Sequence, residues 1–280
     1  MNHLPENHSG ASTDAQLIEL WLSGRPESTQ SVYRPVVVEF LAFVGKGLQE
    51  ATVADLVRFS EALPGSEATR YRKVSTVKSL LGYAHRTGYC LFNIGLPVQC
   101  PRPVNKLHEK ILEPSGVQEV IQAATAGRDR ILTRFLYASG ARISEACKLR
   151  FTDLRGNRVS FFGKGRKTRT VLLPDAVVAE LRSLRQKGDT DHSHIFKSFT
   201  GKPLLPRNAR QVIGKAADEA ALEMSPHYLR HSHASHALNG GCPIHVLQNN
   251  LGHANVATTS LYLHVNPTQG SSSYLPEMEV

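Results

Sequence analysis

The 280-residue sequence predicts a mainly α-helical chain of two domains, with a small antiparallel β-sheet in the second. Three observations predict it. Apolar residues recur at helical spacing along much of the chain. Residues 93–110, NIGLPVQCPRPVNKLHEK, hold three prolines and no helical period, so they read as an extended linker. Two short runs of β-type residues, RVSFF at 158–162 and TRTVLL at 168–173, flank the segment GKGRK.

Four helices are expected before the linker. Leu17, Leu20 and Trp21 mark the first, and Tyr33, Val36, Val37, Phe40, Leu41 and Val44 the second. Val53, Leu56 and Phe59 mark the third, and Val77, Leu80, Leu81 and Ala84 the fourth. Thr13 or Asp14 caps the first helix, Ser28 the second and Thr52 the third, while Gly45 and Gly47 end the second. Beyond the linker, helices are expected at 115–126 and at 128–139, the latter stopped by Gly140, followed by one more. The two β-type runs then form a hairpin with a basic tip, and helices follow at 176–187, 206–221, 226–239 and 243–251. The expected organisation is a flexible N-terminus at 1–12, a helical domain at 13–98, a linker at 99–112, a second domain at 113–268 and a tail at 269–280, with the boundary near residue 105.

With 41% hydrophobic and 20% charged residues the chain can bury a sizeable core, which excludes a disordered or fibrous protein. The net charge of +9 suggests a polyanionic partner. Residues 1–105 carry 10 Lys/Arg against 9 Asp/Glu, and residues 106–280 carry 23 against 15, so the positive field belongs mostly to the second part. Cys90, Cys100, Cys147 and Cys242 form no CxxC pair and read as reduced and structural. The first residues are polar and no apolar run approaches the roughly 20 residues that span a bilayer, so a cytoplasmic protein without membrane contact is expected.

Four short motifs in the second part carry side chains that a core does not need. In GARISEACKL, Arg142 and Glu145 stand three apart at the start of a helix and share a face; alone, this reads as a surface salt bridge. In FFGKGRKTRTVLL, glycines leave Lys164 on an exposed turn, with Arg166, Lys167 and Arg169 adding charge; alone, this is a solvated basic hairpin. In SPHYLRHSHASHAL, Ser225 suits an N-cap and Pro226 the first helical position. His227 and Arg230 then lie near the positive end of a helix, an arrangement suited to an anion or simply to a capped surface helix. A zinc site from His231, His233 and His236 fails because positions two apart point to nearly opposite faces. In LGHANVATTSLYLH, a helix ends at Gly252, His253 lies just beyond, and a helix capped by Asn255 carries Tyr262.

The order and spacing resemble the tyrosine recombinase family, which includes phage integrases and Xer-type recombinases. The family pattern is an Arg in G-x-R-x-x-E-x-x-x-L, a hairpin Lys in GKG, an H-x-x-R box, an LGH histidine and a tyrosine nine residues later. Here these match Gly140, Arg142, Glu145 and Leu149, then Lys164, His227 and Arg230, Gly252 and His253, and Tyr262. Any one motif is weak; five in order within about 120 residues are a strong joint signal. The likeness extends over residues 13–265, with less specific support in the helical N-terminal part. Tyr228 and Phe151 depart from the family's usual Asp and Trp.

The resemblance implies a helical core-binding domain followed by an α/β tyrosine-recombinase catalytic domain. It implies site-specific cleavage and rejoining of double-stranded DNA through a 3′-phosphotyrosine, without metal or nucleotide cofactor, by a homo-oligomer that is a tetramer on two DNA sites. Tyr262 would be the nucleophile, with Tyr274 in the tail a weaker alternative. Arg142, Arg230 and His253 would bind the scissile phosphate, Lys164 would be the general acid, and His227 would assist proton transfer. Glu145 would orient Arg142 and His227, and Arg166, Lys167 and Arg169 would contact DNA. The competing readings are a type IB topoisomerase or telomere resolvase, and a DNA-binding accessory protein without catalysis.

Overall fold

A computed structural model describes residues 7–104, 107–162 and 168–252. The chain divides into two compact units, residues 1–105 and 106–280. The described part is mainly α-helical with one small antiparallel sheet, which is the expected fold class.

Unit 1 packs α1 (Asp14–Ser23), α2 (Glu27–Val44), α3 (Val53–Ala62) and α4 (Glu67–Arg86) around one apolar cluster. The residues chosen by periodicity supply it: Leu17, Trp21, Val37, Phe40, Leu56, Phe59, Val77, Leu80 and Leu81 are all buried. Phe40 meets Phe59 edge to face at 5.2 Å between ring centres, which fastens α2 to α3. Thr13 and Thr52 cap α1 and α3 through their side chains, and Gly45 closes α2 in the left-handed conformation at φ 70°. The cap of α2 differs from the expected Ser28. Its helix begins at Glu27, because Pro26 holds the extended backbone of an N-cap while its carbonyl accepts from the N–H groups of Thr29 and Gln30 at 2.8 and 3.0 Å.

Unit 2 contains α5 (Pro114–Ala123), α6 (Arg128–Ser139), α7 (Ile143–Lys148), the sheet, α8 (Asp175–Ser183), α9 (Pro206–Glu219), α10 (Pro226–Asn239) and α11 (Ile244–Leu251). Helix α6 lies at its centre: Phe135 is fully buried and packs at 5.6 Å from Phe196 and 6.2 Å from Phe161 of the sheet. The sheet has three strands in the order β1 (Leu154–Arg155), β2 (Arg158–Phe162), β3 (Thr168–Leu172), all antiparallel, with Arg158 opposite Leu172 and Phe162 opposite Thr168. The sequence predicts only β2 and β3. A strand of two residues has no periodicity to read, and β1 exists because Leu154 and Arg155 pair with Val159 and Arg158.

The later part of the expected linker is packed rather than extended. Leu107 is buried in a small cluster with Ala234, Leu247 and Leu251, and the Leu112 N–H donates to Ser232 Oγ at 2.9 Å. The four cysteines are free. Among the described residues, no helix is long and apolar enough to cross a membrane.

Candidate functional site

Arg142 stands at the N-cap of α7 with extended backbone (φ −72°, ψ 147°), so it precedes the helix instead of sharing a helical face with Glu145. Glu145, in the first turn, reaches back: its Oε2 accepts from the Arg142 backbone N–H at 2.7 Å, and its Oε1 from Arg142 Nη1 at 3.1 Å. The carboxylate is thereby nearly closed off at 10% exposure, while the Arg142 side chain stays 41% exposed. One residue is pinned and the other is presented to solvent.

Arg169 is the second guanidinium on this carboxylate. Its Nη1 and Nη2 donate to Glu145 Oε1 and Oε2, both at 2.7 Å, and its Nε donates to the Asn250 carbonyl at 2.7 Å. The guanidinium carbon lies 4.5 Å from the centre of the Phe161 ring. Arg169 is expected to contact DNA, but only 11% of its side chain is exposed and its donors face the protein. The cause is strand alternation. Thr168, Thr170 and Leu172 face outward along β3, which turns Arg169 and Val171 to the other side. Burial alone would raise the pKa of Glu145, but the Arg169 hydrogen bonds, the Arg142 N–H and both guanidinium charges together hold it down at about 2.

Arg230 and His227, three apart at the start of α10, have different environments. Arg230 is buried, and its Nη1 and Nη2 donate to the carbonyls of Gly140 at 2.5 Å and Leu251 at 2.7 Å. These carbonyls close α6 and end α11, where the helix dipoles favour a cation. Gly140 adopts φ 59°, and a Cβ there would lie 2.7 Å from His233 Cδ2 and 2.9 Å from Leu251 Cδ2, so only glycine fits the turn that receives Arg230. His227 is exposed at the second position of α10, after Ser225 at the N-cap and Pro226. Its pKa is lowered, first by partial burial and then by the charges of Arg230, Arg210, Arg142 and Lys110. One imidazole therefore lies in the field of four cations.

Arg142, Arg230, His227 and Glu145 are thus brought together, and Glu145 orients Arg142; no contact between Glu145 and His227 is described. Arg210 on α9 and Lys110 before α5 join the cluster unforeseen. Nothing local marks them, because their relation to His227 arises from helix packing across more than a hundred residues in one case and seventeen in the other. Lys164, Arg166, Lys167, His253, Tyr262 and Tyr274 lie outside the described residues. Among the described residues no group of three or more His, Cys, Asp or Glu could hold a metal ion. His233 instead packs its half-buried ring against Gly140, and Tyr137 Oη hydrogen-bonds His236 Nδ1 at 2.8 Å. The arrangement can bind an oxyanion between exposed and buried guanidinium groups.

The phage integrase family matches residues 110–269. The chain belongs to this family, the tyrosine recombinases, enzymes that cleave and rejoin DNA strands. Tyrosine recombinase XerC of Halalkalibacterium halodurans is 35% identical, with 71% of this chain and 72% of that protein covered. A tyrosine recombinase of Thermosipho africanus is 33% identical over 85% of this chain and 89% of its own length. Among solved structures, XerA recombinase is 27% identical with a TM-score of 0.51, covering 93% of this chain and 94% of that one. A lambda integrase dimer bound to a COC′ core site is 16% identical with a TM-score of 0.75, covering 95% and 97%; that likeness is one of fold.

Proposed function

We propose that this protein is a site-specific recombinase that breaks and reseals DNA through a covalent 3′-phosphotyrosine at Tyr262, as a tetramer on two DNA sites. The observation that carries the reading is the anchoring of Arg230 on the Gly140 carbonyl, two residues before Arg142, with His227 in the field of both. Two guanidinium groups and a histidine at one place suit the scissile phosphate, whose non-bridging oxygens gain charge as the fifth ligand approaches phosphorus.

The Tyr262 oxygen attacks phosphorus, the bond to the 5′-oxygen breaks, and Lys164 protonates that leaving oxygen while His227 takes up the phenol proton. His253 adds a hydrogen bond to the same phosphate. The energy of the phosphodiester is kept in the phosphotyrosine, so ligation to a partner strand is the reverse step and needs no nucleotide. In this reading the arginines supply the positive charge that a divalent ion brings to other phosphoryl transfers. The lambda integrase structures of similar fold are DNA complexes, and one is a tetramer on a Holliday junction, which supports DNA as the partner and a tetramer as the working assembly. Arg166 and Lys167 contact backbone phosphates beside the site.

A nicked suicide substrate tests the reading. A covalent protein–DNA adduct that disappears in Tyr262→Phe is the expected result. Tight binding without any adduct would identify an accessory protein, and rapid relaxation of supercoiled plasmid of any sequence would identify a type IB topoisomerase.

A further inference from the structure

We propose that Arg169 is a positioning residue for strand cleavage: its buried guanidinium locks the carboxylate that holds Arg142 to the end of α11, the element that leads into His253. The inference rests on the recombinase reading above and assigns Arg169 no contact with DNA.

Three parts of the site meet on this one side chain. Through two hydrogen bonds of 2.7 Å it fixes both oxygens of Glu145, and Glu145 in turn holds the backbone and side chain of Arg142. Through Nε it holds the Asn250 carbonyl in the last turn of α11. Its own backbone belongs to β3, five residues after Lys164 in the chain. Phe161 of β2 packs on the guanidinium. Gly252 adopts φ 64°, and a Cβ there would lie 3.0 Å from Arg169 Cδ, so the turn before His253 is built around the passing arginine stem.

Only a planar fork can serve all three partners. Lysine would place a single nitrogen where Arg169 presents Nε and two Nη groups, and could satisfy either the carboxylate or the Asn250 carbonyl but not both in this geometry. Without the fork Glu145 keeps its charge but loses its fixed plane, and Arg142 is then aimed less well at phosphorus. Misplacement of a catalytic group by about an ångström costs up to a hundredfold in rate.

The test compares wild type with Arg169→Lys in single-turnover adduct formation on the nicked suicide substrate, together with DNA affinity and a thermal melt. The expected result is an adduct rate at saturating protein lower by about ten- to a hundredfold, with affinity within about threefold of wild type. Unchanged rate at saturation overturns the proposal, and so does a loss confined to affinity, which would restore Arg169 as a DNA contact. Should the lysine variant lose its cooperative melt, Glu145→Gln combined with Arg169→Gln removes both buried charges together and is read by the same two measurements. A wild type that forms no adduct would sink the recombinase reading itself, whatever Arg169 does.

Discussion

At the residue scale, the two arginines of the site differ in what they do for the fold. Arg142 is 41% exposed and its side chain meets one carboxylate, so Arg142→Ala should leave the melting temperature nearly unchanged and DNA affinity within a few-fold. Cleavage in that variant should fall by about a hundred- to a thousandfold, the cost of losing one donor to a developing oxyanion. Near wild-type cleavage would remove Arg142 from the mechanism. Arg230 is 5% exposed and satisfies two helix-end carbonyls, so Arg230→Ala should cost cleavage and stability alike, about 1–3 kcal/mol for each carbonyl left buried without a donor. A chemical melt of both variants separates these roles.

Two titratable groups of the site contribute to the acid response. Burial first lowers the pKa of His233; the backbone hydrogen bond to Tyr137 opposes this, and Arg230 and His236 add to it, leaving about 4. An unfolded histidine takes up a proton near pH 6.5 that the folded one refuses, so stability falls as the pH drops from about 6.5 toward 4. Glu145 acts lower: with its pKa held at about 2, its contribution is complete above about pH 4.3 and lost as the pH falls further. His233→Gln should flatten the stability curve in the first window and Glu145→Gln in the second. Denaturant melts at stepped pH check both, and slopes unchanged from wild type would refute the assignment.

At the scale of elements, helix ends carry the site. The α6–α7 turn at Gly140, the start of α10 and the end of α11 supply the receiving carbonyls and the anchored guanidinium, while α9 brings Arg210 alongside. Gly140→Ala places a Cβ against His233 and Leu251 in a left-handed turn, which should cost about 1–3 kcal/mol. The melting temperature should drop by several degrees, and cleavage should fall because the Gly140 carbonyl that receives Arg230 moves with the turn. Full stability with full cleavage would show the turn to be tolerant.

Much of this level is legible in the sequence. Periodicity locates α1 to α4 and their core, the span of α10 agrees with its expected bounds, and Gly45 and Gly140 end helices as glycines do. What escapes is whatever lacks a period or depends on a distant partner. Strand β1 is too short to show alternation. By sequence Arg169 reads as one more charge of a basic hairpin, although its register in β3, one residue from outward-facing Thr168 and Thr170, turns it away from them. Its carboxylate lies 24 residues earlier and its carbonyl 81 residues later, which no local pattern reveals.

At the scale of the whole molecule, 8 of the 9 net positive charges fall in residues 106–280, so DNA affinity should decline linearly on a logarithmic salt scale. Arg166→Ala and Lys167→Ala should each make that slope shallower by about one unit, and Arg169→Lys should leave it unchanged. Binding titrations from low to high salt decide this; an unaltered slope for the first two would rule out their phosphate contacts.

The sequence by itself determined the helical fold class, the family and the residue types of the site, because periodicity, turn chemistry and motif order are properties of neighbours along the chain. Only the tertiary structure decided that Arg230 is a buried anchor, that Arg142 stands at the N-cap held by Glu145 rather than sharing a helical face with it, and that Arg169 faces Glu145 rather than solvent. Each of those depends on carbonyls, carboxylates and ring faces contributed by other elements, and burial fixes a charged side chain only where such partners converge.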